Sequence, residues 1–174
     1  KEVTEKQVDI FDWSENRIDG QFSKLAASTA LHDGKLYMVH TGEFANSLFY
    51  TYYDGNNWTD DQKIEGQYTG HTPAIASING ELHLVHTGET NGNLYHSVFD
   101  GRTWSDDVKI EGQSTNRAPA LAVYKNQLHL VHTGEFGTAL YHAVLENGQW
   151  TDDQKIEGQF SQLAPSMAVY KNKL

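Results

Sequence analysis

The chain has 174 residues, 38% of them hydrophobic and 11% aromatic, which is enough apolar content for one packed domain and argues against disorder. Its net charge of −10 speaks against nucleic acid or an anionic membrane surface as the main partner, and the absence of cysteine removes disulfide and thiolate chemistry. No apolar run approaches the ~18 residues of a membrane span, and no apolar stretch follows a basic start, so neither a span nor a signal peptide is expected within these residues. A removed leader would leave no trace, and action outside the cell or at its surface stays open.

In chain order, residues 1–17 carry Ile10-Phe11-Asp12-Trp13-Ser14, an imitation of the last strand of the units that follow. Three whole units then occupy 18–63, 64–109 and 110–155, and 156–174 begin a fourth. The period is 46 residues: Ile18, Ile64, Ile110 and Ile156 open the same phrase, and Trp58, Trp104 and Trp150 stand at equal offsets. A fixed period of this length is the mark of a repeat architecture.

Within the second unit the expected strands are Ala74 to Ile78, Glu81 to His86, Asn93 to Phe99 and Thr103 to Ile110. Asn79-Gly80 and Asp100-Gly101 read as two-residue hairpin turns, because tight turns with positive φ favour Asn, Asp and Gly. No segment sustains a 3.6-residue period, so helix is not expected. Four short antiparallel strands per unit describe the blade of a β-propeller. The fold class is therefore all-β, a β-propeller of four-stranded blades in one domain, with an incomplete ring in one chain. Ala164 to Tyr170 would be a first strand without a second, and an open edge invites pairing. A second copy completing the ring, or membership of a longer repeat array, would cover it.

In a four-stranded meander, the connection between strands two and three lies at the same end as the connection from strand four to the next blade. Both are long and polar here. The first is His-Thr-Gly-Glu and its variable tail, beginning at His40, His86 and His132; the second follows Gly-Gln at Gln67, Gln113 and Gln159. Function concentrates on long loops above a rigid scaffold, which places a binding face there. A carboxylate accepts two hydroxyl hydrogen bonds, an imidazole and an amide orient, and a ring covers the apolar face of a sugar. The candidate ligand-binding residues are thus His40, Glu43, His86, Glu89, His132, Glu135, Gln67, Gln113 and Gln159, with Tyr68 and Phe160 as stacking rings. Ser114 breaks that aromatic pattern, so the sites need not be equal in affinity.

Each group also has a plain structural alternative. The His residues could end an inward face, and the Glu residues could cap their own loops. Trp58, Trp104 and Trp150 could be core, and Asp60-Asp61, Asp106-Asp107 and Asp152-Asp153 a solvated edge that blocks pairing between molecules. His96 and His142 are matched by Tyr50, which favours a packed or hydrogen-bonded ring over a metal ligand. No dense ligand spacing announces a metal, and no cofactor is expected.

The phrase Leu94-Tyr-His-Ser-Val-Phe-Asp-Gly-Arg-Thr-Trp104-Ser, with Ile110-Glu-Gly112 and Ala118-Pro-Ala120, resembles the repeat of bacterial β-propeller lectins of the Photorhabdus fucose-binding type. The resemblance runs through all three units and both partial ends. It implies a ring of blades, sugar sites between neighbouring blades, and no catalysis. Two features depart from that family: Asp61, Asp107 and Asp153 stand where it commonly has a second Trp, and Val98 and Val144 where it tends to an aromatic. If those places carry the site, Trp58, Trp104 and Trp150 with Asp61, Asp107 and Asp153 form the runner-up set.

The function expected from these readings is a multivalent carbohydrate-binding protein, partnered by glycans and assembling as a homo-oligomer or within a longer chain. A protein-binding scaffold or toxin-associated module is the alternative. A sialidase-like hydrolase is weaker, because its Asp-box resemblance is off by one position. Arg17, Arg102 and Arg117 also fall at non-equivalent places, where a substrate carboxylate would need them clustered.

Overall fold

The computed structural model describes residues 17–171 and 173–174, so the imitation strand around Trp13 lies outside the described residues. Among the described residues there is no helix; the chain forms three antiparallel sheets. The first holds β1 (Ser28–His32), β2 (Lys35–Thr41), β3 (Ser47–Tyr53) and β4 (Gln62–Tyr68), and the second β5 (Ala74–Ile78), β6 (Glu81–Thr87), β7 (Asn93–Phe99) and β8 (Val108–Ser114). The third holds β9 (Ala120–Tyr124), β10 (Gln127–Thr133), β11 (Ala139–Glu146), the two-residue β12 (Gln149–Trp150) and β13 (Gln154–Phe160). In the first two sheets the strands are neighbours in chain order, as hairpin connections require, and in the third both β12 and β13 pair with β11.

The first hairpin of each sheet turns as its residues predict. Asn79 at φ 54° and Gly80 at 81° both adopt the left-handed region, as do Asp33 with Gly34 and Lys125 with Asn126, a backbone twist that matches the flanking strands. Asp100-Gly101 is not a two-residue turn. Asp100 Oδ1 accepts from the amides of Arg102 and Thr103, closing a longer loop that rejoins β7 only at the single bridge Phe99–Trp104. Those two amides hold the exposed Asp100 carboxyl below the usual carboxylate value.

The fourth strand is also displaced. It spans Val108–Ser114 rather than Thr103 to Ile110, so Gly112 and Gln113 are strand, not loop. Gly112 takes φ 75°, as Gly66 and Gly158 do in the other sheets. Register shifts on the partner strand beside it, and glycine lets the strand bulge there and continue.

The core lies between sheets. Ile64, Leu84 and Phe99 pack with Val39 and Tyr50, while Val85 and Leu94 pack with Ile110 and Leu130. From Leu82 to Thr87, β6 is buried without interruption because a sheet lies on each side of it. The first strands of the three sheets, β1, β5 and β9, are neighbours. Ala27, Pro73, Pro119 and Pro165, at equal spacing, border one shared cavity of about 400 Å³. Residues 164–169 join no ladder, and among the described residues of the segment the one bridge is Tyr170–Lys173.

The second and third units each hold a histidine pair within the sheet. His83 Nδ1 lies 2.9 Å from His96 Nε2 and His129 Nδ1 2.8 Å from His142 Nε2, each pair with stacked rings. Such a bond needs one neutral acceptor nitrogen. Burial, then the neighbouring His83, lowers His96 from its ordinary 6.5 to about 4. His83 and His142 are lowered too, first by burial. The unfolded chain binds these protons near the ordinary histidine value, so the contribution is complete above about pH 6.5 and is lost as the pH falls towards 4. His96 alone is expected to remove about 3 kcal/mol across that window. Urea unfolding at about pH 7 and pH 4.5 checks this, with His96→Tyr, the residue type of Tyr50 in the first sheet, reducing the acid loss.

Candidate functional site

The histidines of His-Thr-Gly-Glu sit near the end of the second strand of each sheet and are buried to 1% exposure. His40 Nδ1–H donates to the Thr41 carbonyl at 2.9 Å, which fixes the ring in the strand. Its Nε2 lies 2.9 Å from Asp61 Oδ1, and the same pairing recurs as His86–Asp107 at 3.0 Å and His132–Asp153 at 3.1 Å. Burial pushes His132 below the ordinary histidine value, opposed by the Thr133 carbonyl and the Asp153 carboxylate. Of each Asp pair the first residue is exposed and the second turns in to the histidine, so Asp61, Asp107 and Asp153 are not a plain solvated edge. Asp107 makes that turn in the stretch between the bridge at Trp104 and the start of β8, outside the ladder.

A ring absent from the sequence-based candidates completes the arrangement. Phe49, Tyr95 and Tyr141 pair across from the three histidines in the ladder and stack on them, with ring centroids 6.1, 5.6 and 5.7 Å apart. The glycine of each His-Thr-Gly-Glu gives these rings room: a Cβ on Gly134 would lie 2.9 Å from Tyr141 Cε2, and one on Gly42 3.1 Å from Phe49 Cε2. Their signal was an aromatic at the same place in every repeat, directly after Leu48, Leu94 and Leu140.

Between the second and third sheets these parts open into a cavity of about 440 Å³. His132, Tyr141 and Asp153 line it with Glu135 and Phe136 of the loop, and Gly112 and Ser114 of β8 supply the opposing wall. Two candidate residues of the preferred set and one of the runner-up set therefore share a pocket: His132 and Glu135 with Asp153. Two carboxylates, a phenol and an aromatic face suit hydroxyl donors and an apolar sugar face. Among the described residues no group of three or more His, Asp or Glu could hold a metal ion.

The remaining candidates are placed elsewhere. Gln67 and Gln113 are buried inside the sheet contacts, where Nε2 donates to the carbonyls of Ser105 and Thr151 at 2.9 Å each. Gln21 makes the same bond to Thr59. The amides thus join sheets rather than face a cavity, a consequence of Gly-Gln lying in the strand. Gln159, with no described sheet beyond it, is exposed. Glu89 accepts from Asn46 Nδ2 at 2.7 Å, linking two loops of adjacent sheets, and Glu43 is exposed. Tyr68 and Phe160 are 44% and 63% exposed at strand ends.

Trp104 packs on Tyr50 and Phe99, and Trp150 on His96, both between sheets. Trp150 also borders a second cleft of about 560 Å³ with Val98, Lys109 and Asp152. Trp58 borders a third with Arg17 and Asp19. In the third unit the runner-up pair is divided: Asp153 lines the His132 pocket, and Trp150 the other cleft.

No protein-family model matches the chain, and no curated protein is significantly similar to it.

Proposed function

We propose that the chain is a carbohydrate-binding protein, a lectin without catalytic activity, whose sheets are blades of a β-propeller with a 46-residue repeat. The observation that carries this reading is the inter-sheet pocket in which Asp153, Glu135 and the Tyr141 ring line one cavity beside buried His132. A sugar there stacks on an aromatic face and donates hydroxyls to carboxylates. Recurrence of the His–Asp pair and its stacked ring in each sheet supports presentation of several sites rather than one asymmetric catalytic centre. Several weak sites on one rigid face gain avidity on a surface dense in glycans.

The ring belongs to the same proposal. Ile64 and Ile110 are 1% and 3% exposed beneath the next sheet, while Ile156 is half-buried and Gln159 open. A further sheet, from a second copy or from more of the same repeat, covers that face in the assembled protein.

A glycan array probed with labelled protein, with mass in solution measured alongside, tests the reading. Binding to neutral glycans that free monosaccharide displaces is the expected outcome. Binding that no monosaccharide displaces would favour the protein-binding scaffold instead, and turnover of a glycoside reporter abolished by one substitution would make the chain an enzyme.

A further inference from the structure

The three repeats do not present the same pocket. We propose that Asn91, with Tyr68, holds closed in the second sheet the pocket that the third sheet leaves open, so that the binding positions differ in access by design of two side chains. The inference rests on the lectin reading for its ligand, a neutral sugar, but the closure itself is a matter of geometry.

Asn91 Nδ2 donates to Tyr95 Oη at 3.0 Å, and Asn91 Oδ1 accepts from the Asn93 amide at 3.1 Å. The side chain is held at both ends. It lies directly over Gly88, where an added Cβ would collide with Asn91 Oδ1. The amide therefore covers the floor that Gly134 and Tyr141 expose to the third sheet's pocket. At the equivalent place the third sheet has Gly137, around which a Cβ would meet nothing within 4 Å. The opposing wall differs in the same sense: Ser114 lines the open pocket, and Tyr68 stands at that position one sheet earlier.

The consequence is chemical as well as steric. In the second sheet an amide N–H already satisfies the phenol oxygen, as a sugar hydroxyl would. Tyr141 Oη has no such partner among the described residues, and the first sheet offers Phe49, which has no hydroxyl at all. A sugar that uses the phenol is held more tightly by the third sheet than by the other two.

Acetylation of tyrosine hydroxyls by N-acetylimidazole, mapped by peptide mass spectrometry on the full chain, reads the closure without a ligand. Tyr141 is expected to react several-fold faster than Tyr95. Asn91→Gly should raise Tyr95 towards the rate of Tyr141, and Gly137→Asn, at an unstrained open position, should slow Tyr141. Equal rates for Tyr95 and Tyr141 in the unsubstituted protein would overturn the proposal. On the glycan array, Gly137→Asn with Ser114→Tyr should lower binding at least several-fold in a protein whose circular dichroism is unchanged, and undiminished binding by that variant would overturn it as well. If no protein binds any glycan while the acetylation rates follow the expected order, the lectin reading fails and the closure stands.

Discussion

Gln67→Leu is expected to lower the unfolding free energy by about 2 to 4 kcal/mol. The Gln67 amide donates to the Ser105 carbonyl, and its oxygen accepts from Ser97 Oγ at 2.9 Å, both across the contact between the first two sheets. Leucine fills the space but strands the buried Ser97 hydroxyl and the Ser105 carbonyl, and each group left without a partner costs about 1 to 3 kcal/mol. Gln113→Leu should cost less. Ala143 stands where Ser97 does, and Gln113 Oε1 is buried without a partner, so only the Thr151 carbonyl is deserted. Gln159→Leu in dilute protein should change little, since that side chain is exposed. Urea unfolding of the three variants gives the order directly. A cost for Gln159→Leu equal to that of Gln67→Leu would show that the contact between sheets is not the reason.

Asp153→Asn should weaken the glycan found on the array by about 10 to 100-fold, the loss of charge-assisted hydrogen bonds from sugar hydroxyls worth about 1.5 to 3 kcal/mol. The substitution keeps shape and leaves an oxygen that can still face His132, so stability should move much less. Trp150→Phe should do the opposite. Its ring packs on His96 between the second and third sheets and lies in the other cleft, so removing part of it costs about 1 to 3 kcal/mol of stability and leaves affinity unchanged. Calorimetry of both variants separates the two clefts. Abolished binding in folded Trp150→Phe with unchanged affinity in Asp153→Asn would move the site to the tryptophan cleft.

The sequence carried most of the local architecture. Three of the four expected strands of the second unit recur in β5, β6 and β7, with an end extended by one residue at Thr87, because alternation and an Asn-Gly turn act within a few residues. The fourth strand was misread because Trp104-Ser105 has strand composition but pairs with β7 only at one bridge, while Gly112, a residue that usually ends a strand, here makes a bulge and prolongs it. Because Gly-Gln lies within β4 and β8, Gln67 and Gln113 stand in the sheet contact rather than in a loop. The candidate site was half legible. His132 and Glu135 stand in one repeated phrase and line one cavity, whereas the partnership of His132 with Asp153, 21 residues away in sequence, depends on how far the chain leaves the ladder after Trp150. Tyr141 went unnoticed because an aromatic in a strand is most often simply core, and only the missing Cβ of Gly134 shows which face its ring occupies.

The glutamine contact also has a polarity. One side always contributes the amide and the other always the carbonyl that follows a tryptophan, so the surface cannot match a copy of itself across a twofold axis. Any assembly that uses it runs head to tail, and whether subunits then end in a closed circle or an open filament is set by the angle between successive sheets rather than by the strength of the bond.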